Sequence, residues 1–170
     1  MQVFQNSRFL FVCIAILVMA NVVIYQAVFA PHTLEVSVLE AGKSDAVLIQ
    51  SPGGKTILID AGSDASILRA LGSTLPMWRR SIDAVILTGT KSSLVGGLPE
   101  VENQYRVSTH MYIGDAVTPY GTSLTLGGLR IEIISPGTIF ISYGATSLTV
   151  SSSTPTGTYI SDGNVIQIPK

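Results

Sequence analysis

The sequence is poor in the side chains from which most catalytic sites are built. It contains one cysteine, Cys13, and two histidines, His32 and His110, in 170 residues. A single cysteine excludes an intramolecular disulfide and a C-x-x-C pair. No G-x-S-x-G elbow or P-loop occurs, and the serines lack a placed base because His110 is the only histidine after residue 32. Nucleophilic, redox and nucleotide-cradling chemistry is therefore not expected.

Charge is also scarce, at 12% of the residues, and the formal net charge of the chain is −1. Arg8 is the only charged residue before residue 31, so residues 31–170 carry a net charge of −2. A nucleic-acid-binding domain usually presents a basic surface, and this composition does not supply one. The only local basic cluster is Trp78-Arg79-Arg80, which we expect to be a solvated loop between a helix and a strand.

The one long apolar run covers residues 9–30 and contains no charged residue. About 20 apolar residues span a bilayer, so the run predicts a transmembrane anchor. By the positive-inside rule, residues 1–8 lie in the cytoplasm and the C-terminal domain outside it. A cleaved signal peptide is the alternative, since Val28-Phe29-Ala30 resembles a cleavage site; the length of the run and Pro31 favour the anchor. Cys13 is then expected to be a buried, inert thiol.

Residues 31–170 begin with three predicted strands. Apolar and polar residues alternate over Thr33–Glu40, as in a half-buried strand. Asp45–Gln50 and Lys55–Ile59 are the second and third predicted strands, and the apolar run within each is continuous rather than alternating, which is typical of strands covered on both faces. The turn Ser51-Pro52-Gly53-Gly54 joins them into a hairpin.

Two helices and several short strands are predicted after this hairpin. One helix starts at Ser63 or Asp64, ends near Leu75 and is closed by Pro76; the other runs from Gly97 to about Gln104. The pattern after Tyr105 contains no helix. The order predicts an α/β layered sandwich with a mixed sheet and few helices. The further predicted strands are Ile82–Leu87, Val107–Ile113, Leu124–Leu126, Leu129–Ser135, Ile139–Tyr143, Ser147–Ser152, Thr158–Ile160 and Val165–Ile168.

The stretch Ala84–Leu98 is where we expect the functional site. It reads A-V-I-L-T-G-T-K-S-S-L-V-G-G-L: a buried strand ends at Thr88, a polar turn follows, and Gly96-Gly97 precedes a helix. In α/β folds, the loop that leaves the carboxyl end of a buried strand commonly holds ligands and catalytic groups. This loop has that position but almost none of the usual chemistry.

Several segments, in order, resemble the metallo-β-lactamase-fold domain at the carboxyl end of the ComEC competence proteins. They are L-E-V-S-V-L-E-A-G-K-S-D-A-V-L-I-Q-S-P-G-G-K-T-I-L-I-D-A-G, R-R-S-I-D-A-V-I-L-T, V-G-G-L-P-E-V and G-G-L-R-I-E-I-I-S-P. The resemblance covers Leu34 to about Pro136. It implies a metallo-β-lactamase-like sandwich, in part of the αβ/βα arrangement, for residues 31–170.

Members of that family continue the strand with T-H-x-H-x-D-H, whose side chains bind two metal ions. Such ions need three or four nitrogen and oxygen ligands and activate a bound water. In this chain Thr88 matches the threonine, but the four ligand positions hold a glycine, a lysine, a serine and a leucine: Gly89, Lys91, Ser93 and Leu94. The resemblance therefore implies a former metal site, with no metal cofactor and no catalytic residue.

Asp60 is kept at the end of I-L-I-D-A-G, where the family's aspartate supports the metal loop. Without a metal this carboxylate needs another partner, and we hypothesise that Lys91 neutralises it; the alternative is that Lys91 points into solvent. Mutation of Lys91 to methionine separates the two, because only the ion pair predicts a loss of stability.

The later metal ligands of the family have no clear counterparts. Ser161-Asp162-Gly163 is a poor match to the aspartate that follows T-G in the family. Alternatively, Val165–Pro169 matches the strand before the family's H-H-G-S motif, and neither alignment restores a metal site. We expect His32 to be interfacial or solvated, and His110 to be a hydrogen-bonded or exposed strand residue.

The sequence thus predicts a single-pass membrane protein whose degenerate domain acts by binding or scaffolding at the cell envelope. Its predicted partners are the membrane, through residues 9–30, and a protein or envelope component; nucleic acid follows only from the family resemblance. One alternative is an active metal-dependent phosphodiesterase or nuclease linked to DNA uptake. The other is a purely structural envelope protein.

Overall fold

The computed structural model describes residues 10–22 and 33–168. Residues 10–22 form a helix, α1, within a unit, Met1–Pro31, that is distinct from the unit His32–Lys170. The described residues do not include the predicted cytoplasmic residues 1–8 or His32. Of the predicted anchor, residues 9–30, they include residues 10–22. Within the described ranges, no helix combines the length and the apolar composition needed to cross a membrane.

Residues 33–168 form three helices and thirteen strands. The helices are α2 (Ser66–Thr74), α3 (Ser92–Val95) and α4 (Leu98–Gln104). The strands are β1 (Leu34–Ala41), β2 (Ser44–Gln50), β3 (Thr56–Ile59), β4 (Ser81–Ile82), β5 (Ala84–Leu87), β6 (Arg106–Val107), β7 (His110–Tyr112), β8 (Ser123–Leu126), β9 (Leu129–Ser135), β10 (Thr138–Tyr143), β11 (Thr146–Val150), β12 (Gly157–Ser161) and β13 (Ile166–Gln167). As predicted, no helix follows Tyr105 in the part that the structure describes.

Seven strands make the main sheet, in the order β13-β12-β1-β2-β3-β5-β7. It is mixed: β3, β5 and β7 run parallel, and the other neighbours run antiparallel. A second, antiparallel sheet has the order β11-β10-β9-β8, and β4 pairs with β6. The carboxyl ends of β3, β5 and β7 therefore meet at one edge of the main sheet, which we call the carboxyl edge.

Two apolar cores cover the two faces of the main sheet. One core contains Leu48 of β2 and Leu71 of α2, on the helical side. The other contains Ile49 and, from the second sheet, Ile131. Neighbouring residues of a strand point to opposite faces, so a strand that serves both cores is apolar at every position. The predicted α/β sandwich and its two-sided central strands are thus confirmed.

The prediction that the strand over Thr33–Glu40 is half-buried is wrong, because both faces of β1 are covered. Ser37 and Leu39, placed on the solvent side by the alternating pattern, are buried because α2 packs over that face of β1. The buried Ser37 hydroxyl is satisfied by the hydroxyl of Thr158 on β12, at 2.9 Å. A polar residue at this position therefore suggested exposure to solvent, although Ser37 is buried.

Two predicted strands are each divided. Asp83 separates β4 from β5 because its Oδ2 accepts the backbone N–H of Thr56 (2.9 Å) and its Oδ1 binds the Lys55 ammonium (2.8 Å). The strand predicted over Val107–Ile113 becomes β6 and β7. The short helix α3 was not predicted.

Candidate functional site

Asp60 follows β3 at the carboxyl edge and is only 2% exposed. Its backbone N–H donates to Ile86 O (2.9 Å), and the next N–H, of Ala61, donates to Leu94 O (2.7 Å). With φ at 57°, Asp60 is the one non-glycine residue in the left-handed region within residues 10–22 and 33–168. That conformation costs roughly 1–2 kcal/mol, so the surrounding hydrogen bonds must hold it.

Thr88, which follows β5, binds this carboxylate with its backbone and its side chain. Its N–H donates to Asp60 Oδ1 (2.8 Å) and its hydroxyl donates to Oδ2 (2.7 Å). The same hydroxyl oxygen accepts from Gly137 N–H (3.0 Å), and Thr88 O accepts from the Tyr120 hydroxyl (2.8 Å). This Thr88 network, Asp60, Thr88, Tyr120 and Gly137, joins two strand ends, the loop after β7 and the β9–β10 turn.

Burial raises the pKa of Asp60 to about 6 from an ordinary 3.8, although the hydrogen bonds from Thr88 lower it. Between these two values the folded chain keeps a proton that the unfolded chain has released. The stability that this proton contributes is fully present below the unfolded pKa and is lost as the pH rises through the folded pKa. The amplitude is about 3 kcal/mol.

We expect Asp60→Asn to remove this pH dependence. An asparagine amide can still accept the Thr88 N–H but does not titrate, so the free energy of unfolding of the variant no longer falls between about pH 4 and 7. Urea denaturation at a series of pH values measures it. Asp162→Asn is the control, because Asp162 is exposed and hydrogen bonds from backbone amides lower its pKa. A profile of Asp60→Asn parallel to that of the wild type would contradict the shift.

The structure brings two of the four predicted ligand positions into contact. Gly89 has no side chain, and a Cβ there would lie 3.1 Å from Cδ1 of Leu94. Leu94 itself is 9% exposed. Ser93 contributes its backbone carbonyl, which accepts a hydrogen bond from the Ser44 hydroxyl. Lys91 is exposed, immediately before α3. A leucine therefore occupies the space beside the position of the first expected histidine.

The hypothesised ion pair between Lys91 and Asp60 is wrong. Both residues are described, and the ion pairs of the described residues do not include this one. Both carboxylate oxygens of Asp60 already accept hydrogen bonds from Thr88. Burying an ammonium is costly, and two neutral donors satisfy the carboxylate without that cost. The alternative, Lys91 in solvent, agrees with the structure.

The remaining candidate ligands lie elsewhere. His110 is exposed on β7, as predicted, and its Nε2 lies 2.7 Å from Glu102 Oε1. Asp162 lies at the opposite edge from Asp60, because Ser161 pairs with Leu34, the first residue of β1. Its Oδ1 accepts two backbone N–H groups. The poor match of this aspartate to a ligand of the family therefore has a structural basis.

These donors do not fit a zinc or manganese centre. Such a centre needs three or four converging nitrogen and oxygen ligands. Residues 10–22 and 33–168 contain no group of three or more His, Cys, Asp or Glu side chains that could hold a metal ion. At the carboxyl edge, the buried carboxylate of Asp60 already accepts two hydrogen bonds from Thr88, and Leu94 beside it is apolar.

Two clefts nevertheless open at this edge, on either side of Leu94 and Pro136. The larger, about 470 Å³, lies between the β1–β2 turn and the β11–β12 loop, and Asp60 reaches its wall. Its rim is polar, with Lys43 and Ser151 among the lining residues. The smaller, about 230 Å³, lies between the loop after β5 and Tyr120. The surface at the carboxyl edge is therefore concave.

Sequence reasoning missed Tyr120 and Gly137. They bind Thr88 from 32 and 49 residues further along the chain. Neither lies in a motif, and a tyrosine or a glycine in a loop gives no signal at that separation. Only the packing of the second sheet against the main sheet brings them to the site.

Solved structures identify this architecture. A motif mutant of a metallo-β-lactamase from Cronobacter sakazakii superimposes with a TM-score of 0.50 and 17% identity, over 67% of this chain and 59% of that chain. A Cronobacter sakazakii metallo-β-lactamase with the HARLDQ motif gives 0.50 and 18%, over 68% and 58%. The chain has the metallo-β-lactamase fold. The metallo-β-lactamase-fold protein YhfI from Bacillus subtilis gives 0.47 and 16%, over 79% and 61%.

The likeness establishes the metallo-β-lactamase fold and leaves the activity open. No protein-family model and no curated protein sequence matches the chain. The chain spans less than two thirds of the length of each of these three structures. The finer resemblance to the ComEC domain therefore stays a prediction.

Proposed function

We propose that this chain is a membrane-anchored, non-catalytic protein of the metallo-β-lactamase fold, related to the ComEC domain, that acts by binding at the cell envelope. One observation carries the proposal: the positions of the metal ligands in the resemblance hold Gly89, Lys91, Ser93 and Leu94, and the leucine is buried against the glycine. A water activated by a metal at these positions has no ligand set to support it.

The Thr88 network supports the same proposal because it can do the structural work of a metal centre. A bound metal stabilises a fold by joining the chain segments that carry its ligands. In this chain Thr88, Tyr120 and Gly137 join the ends of β3 and β5 to the second sheet through hydrogen bonds. The domain can therefore keep its architecture through these hydrogen bonds, without a metal ion.

Binding requires a surface, and the larger cleft supplies one. Its volume of about 470 Å³ is within the range of ligand pockets in proteins. Residues 9–30 are the proposed membrane anchor, with the cleft-bearing domain outside the cytoplasm. The proposed partner is a protein or envelope component, and nucleic acid is suggested only by the ComEC resemblance.

An active metal-dependent hydrolase is the second candidate, favoured by the fold itself and by the buried carboxylate of Asp60 beside a cleft. It would require ligands contributed by another chain. A purely structural envelope protein is the third candidate, for which the cleft would have no occupant.

Metal analysis of the purified chain of 170 residues tests the proposal. The chain is first incubated with zinc or manganese, and unbound metal is then removed by dialysis. We expect far less than one metal ion to remain bound per chain. The matched control is a variant with the four ligands of the family's loop restored, Gly89→His, Lys91→His, Ser93→Asp and Leu94→His, which we expect to retain more zinc than the wild type. Stoichiometric metal in the wild type would overturn the proposal in favour of the hydrolase.

Crosslinking in the native membrane separates the binding protein from the structural one. A photo-crosslinking residue in place of Lys43, at the cleft, should capture one recurrent partner. The same residue in place of the exposed Asn103 on α4 should not. Equal, non-selective capture from both positions would favour the structural alternative.

A further inference from the structure

Two large apolar side chains project from the loop between α2 and β4. Met77 is 85% exposed and Trp78 is 84% exposed. Trp78 is the only tryptophan in the chain. Tryptophan is enriched at membrane–water interfaces, where the ring is in contact with the head groups. A solvated loop, as the sequence predicted, does not account for two neighbouring side chains of this kind.

The residues that follow them anchor this loop to the sheet. The Arg79 guanidinium donates to Gly54 O (3.1 Å), in the β2–β3 turn, and to the hydroxyl of Thr56. The N–H of Arg106 donates to Arg80 O (2.9 Å). Met77 and Trp78 are therefore presented by a loop whose base is fixed.

The same loop carries positive charge. The neighbouring Arg80 and Arg106 are exposed, and neither forms an ion pair within the described residues. Lys55 neutralises Asp83 nearby (2.8 Å). Three further carboxylates lie at the edge where β3 and β5 begin. Glu35 accepts a hydrogen bond from the Gln50 amide, Asp162 accepts from backbone amides, and Glu102 Oε1 lies 2.7 Å from His110 Nε2. An apolar pair beside two free guanidinium groups suits an anionic lipid surface.

The position of this loop agrees with such a partner. It lies at the edge where β3 and β5 begin, opposite the carboxyl edge. β1 also begins there, at Leu34, because β1 and β3 both run antiparallel to β2. Leu34 follows the end of the predicted anchor, residue 30, by four residues in the sequence, so the chain enters the sheet at the edge that carries this loop.

We propose that Met77, Trp78, Arg80 and Arg106 form a lipid-facing surface that docks the domain on anionic head groups. This inference rests on the proposed anchor at residues 9–30. Trp78 and Met77 enter the interfacial region, and the two arginines bind lipid phosphates. The cleft at the opposite edge then faces away from the bilayer, open to a partner.

Trp78 itself reports on this surface. The chain of 170 residues is reconstituted into vesicles of phosphatidylcholine with about 30% phosphatidylglycerol, and its tryptophan emission is recorded. Lipids brominated near the head group should quench the emission, and the maximum should lie blue of that of a water-exposed indole. Emission typical of exposed tryptophan, without lipid quenching, would overturn the proposal. A blue-shifted emission without lipid quenching would also overturn it and indicate a protein contact.

Matched variants separate charge from apolar contact. Arg80→Glu with Arg106→Glu should weaken docking on anionic vesicles by about fivefold or more per arginine, and much less on pure phosphatidylcholine. Met77→Ser should reduce the quenching, whereas Val117→Ser, at an 87% exposed residue of the β7–β8 loop, should leave it unchanged. Equal effects of Met77→Ser and Val117→Ser would contradict the assignment.

Flotation of the vesicles distinguishes failure of this inference from failure of the proposed function. A chain that does not float with the vesicles lacks the anchor, which would overturn both. A chain that floats and resists carbonate extraction, yet shows no lipid quenching of Trp78, would overturn the docking surface alone.

Discussion

Replacing Gly97 with alanine is expected to destabilise the domain by about 3 kcal/mol or more. The added Cβ would lie 2.3 Å from the carbonyl oxygen of Ala61 and 2.7 Å from that of Asp64. These are backbone atoms, which cannot rotate away as a side chain does. Relief requires moving the start of α4 off the loop after β3, which would also break the 3.2 Å hydrogen bond from Gly97 N–H to Gly62 O.

Gly72→Ala is the matched control, because it is the same substitution in a helix with open space around it. Nothing lies within 4 Å of a Cβ at Gly72, an exposed position in α2. Alanine there should stabilise the domain by about 0.5–1 kcal/mol, since it lowers the entropy of the unfolded chain. Denaturant unfolding of both variants should therefore give changes of opposite sign. Equal changes would show that the contact between the two loops is not tight.

The close packing at these positions explains the two glycines of V-G-G-L. Gly96 is as close to its neighbours as Gly97, since a Cβ there would lie 2.2 Å from Ser63 O. The two glycines allow the start of α4 to pack against the loop that carries Asp60. Their role is packing, which does not depend on a metal.

Thr88→Val is expected to lower the free energy of unfolding by about 3 kcal/mol at neutral pH. Valine has nearly the shape of threonine, so the change removes the hydroxyl without opening a cavity. Asp60 Oδ2 then loses its donor and Gly137 N–H loses its acceptor, and leaving a buried polar group unsatisfied costs about 1–3 kcal/mol each. The loss should be greater at pH 8 than at pH 5, because without this hydrogen bond the ionised form of Asp60 is less stable.

Two variants control this experiment. Thr88→Ser keeps the hydroxyl and should retain most of the stability and its pH dependence. Thr90→Val makes the same chemical change two residues further on, at an exposed position, and should change the free energy of unfolding by less than about 0.5 kcal/mol. If Thr88→Val were as mild as Thr90→Val, the Thr88 network could not be what joins these strand ends.

Much of the fold was predictable because its signals are local. The apolar runs Asp45–Gln50 and Lys55–Ile59 correspond to β2 and β3, and their lack of alternation correctly indicated cover on both faces. Pro76 marked the end of α2, and Gly96-Gly97 marked the start of α4. The local pattern gave wrong predictions where a side chain binds a partner far away in the sequence. Ser37 was predicted to be exposed but binds Thr158, and Asp83, which binds Thr56, divides one predicted strand into two.

The site shows the same division. The sequence by itself determined which side chains stand at the ligand positions of the resemblance, Gly89, Lys91, Ser93 and Leu94, and that Asp60 and Thr88 are kept. It also placed Asp60 and Thr88 after neighbouring buried strands, because strand ends can be read from local composition. Only the tertiary structure decided their partners: Thr88 and not Lys91 satisfies Asp60, and Tyr120 and Gly137 complete the network. The physical reason is that a buried carboxylate takes its donors from whatever the packing brings near it, and that packing depends on contacts between residues far apart in the chain.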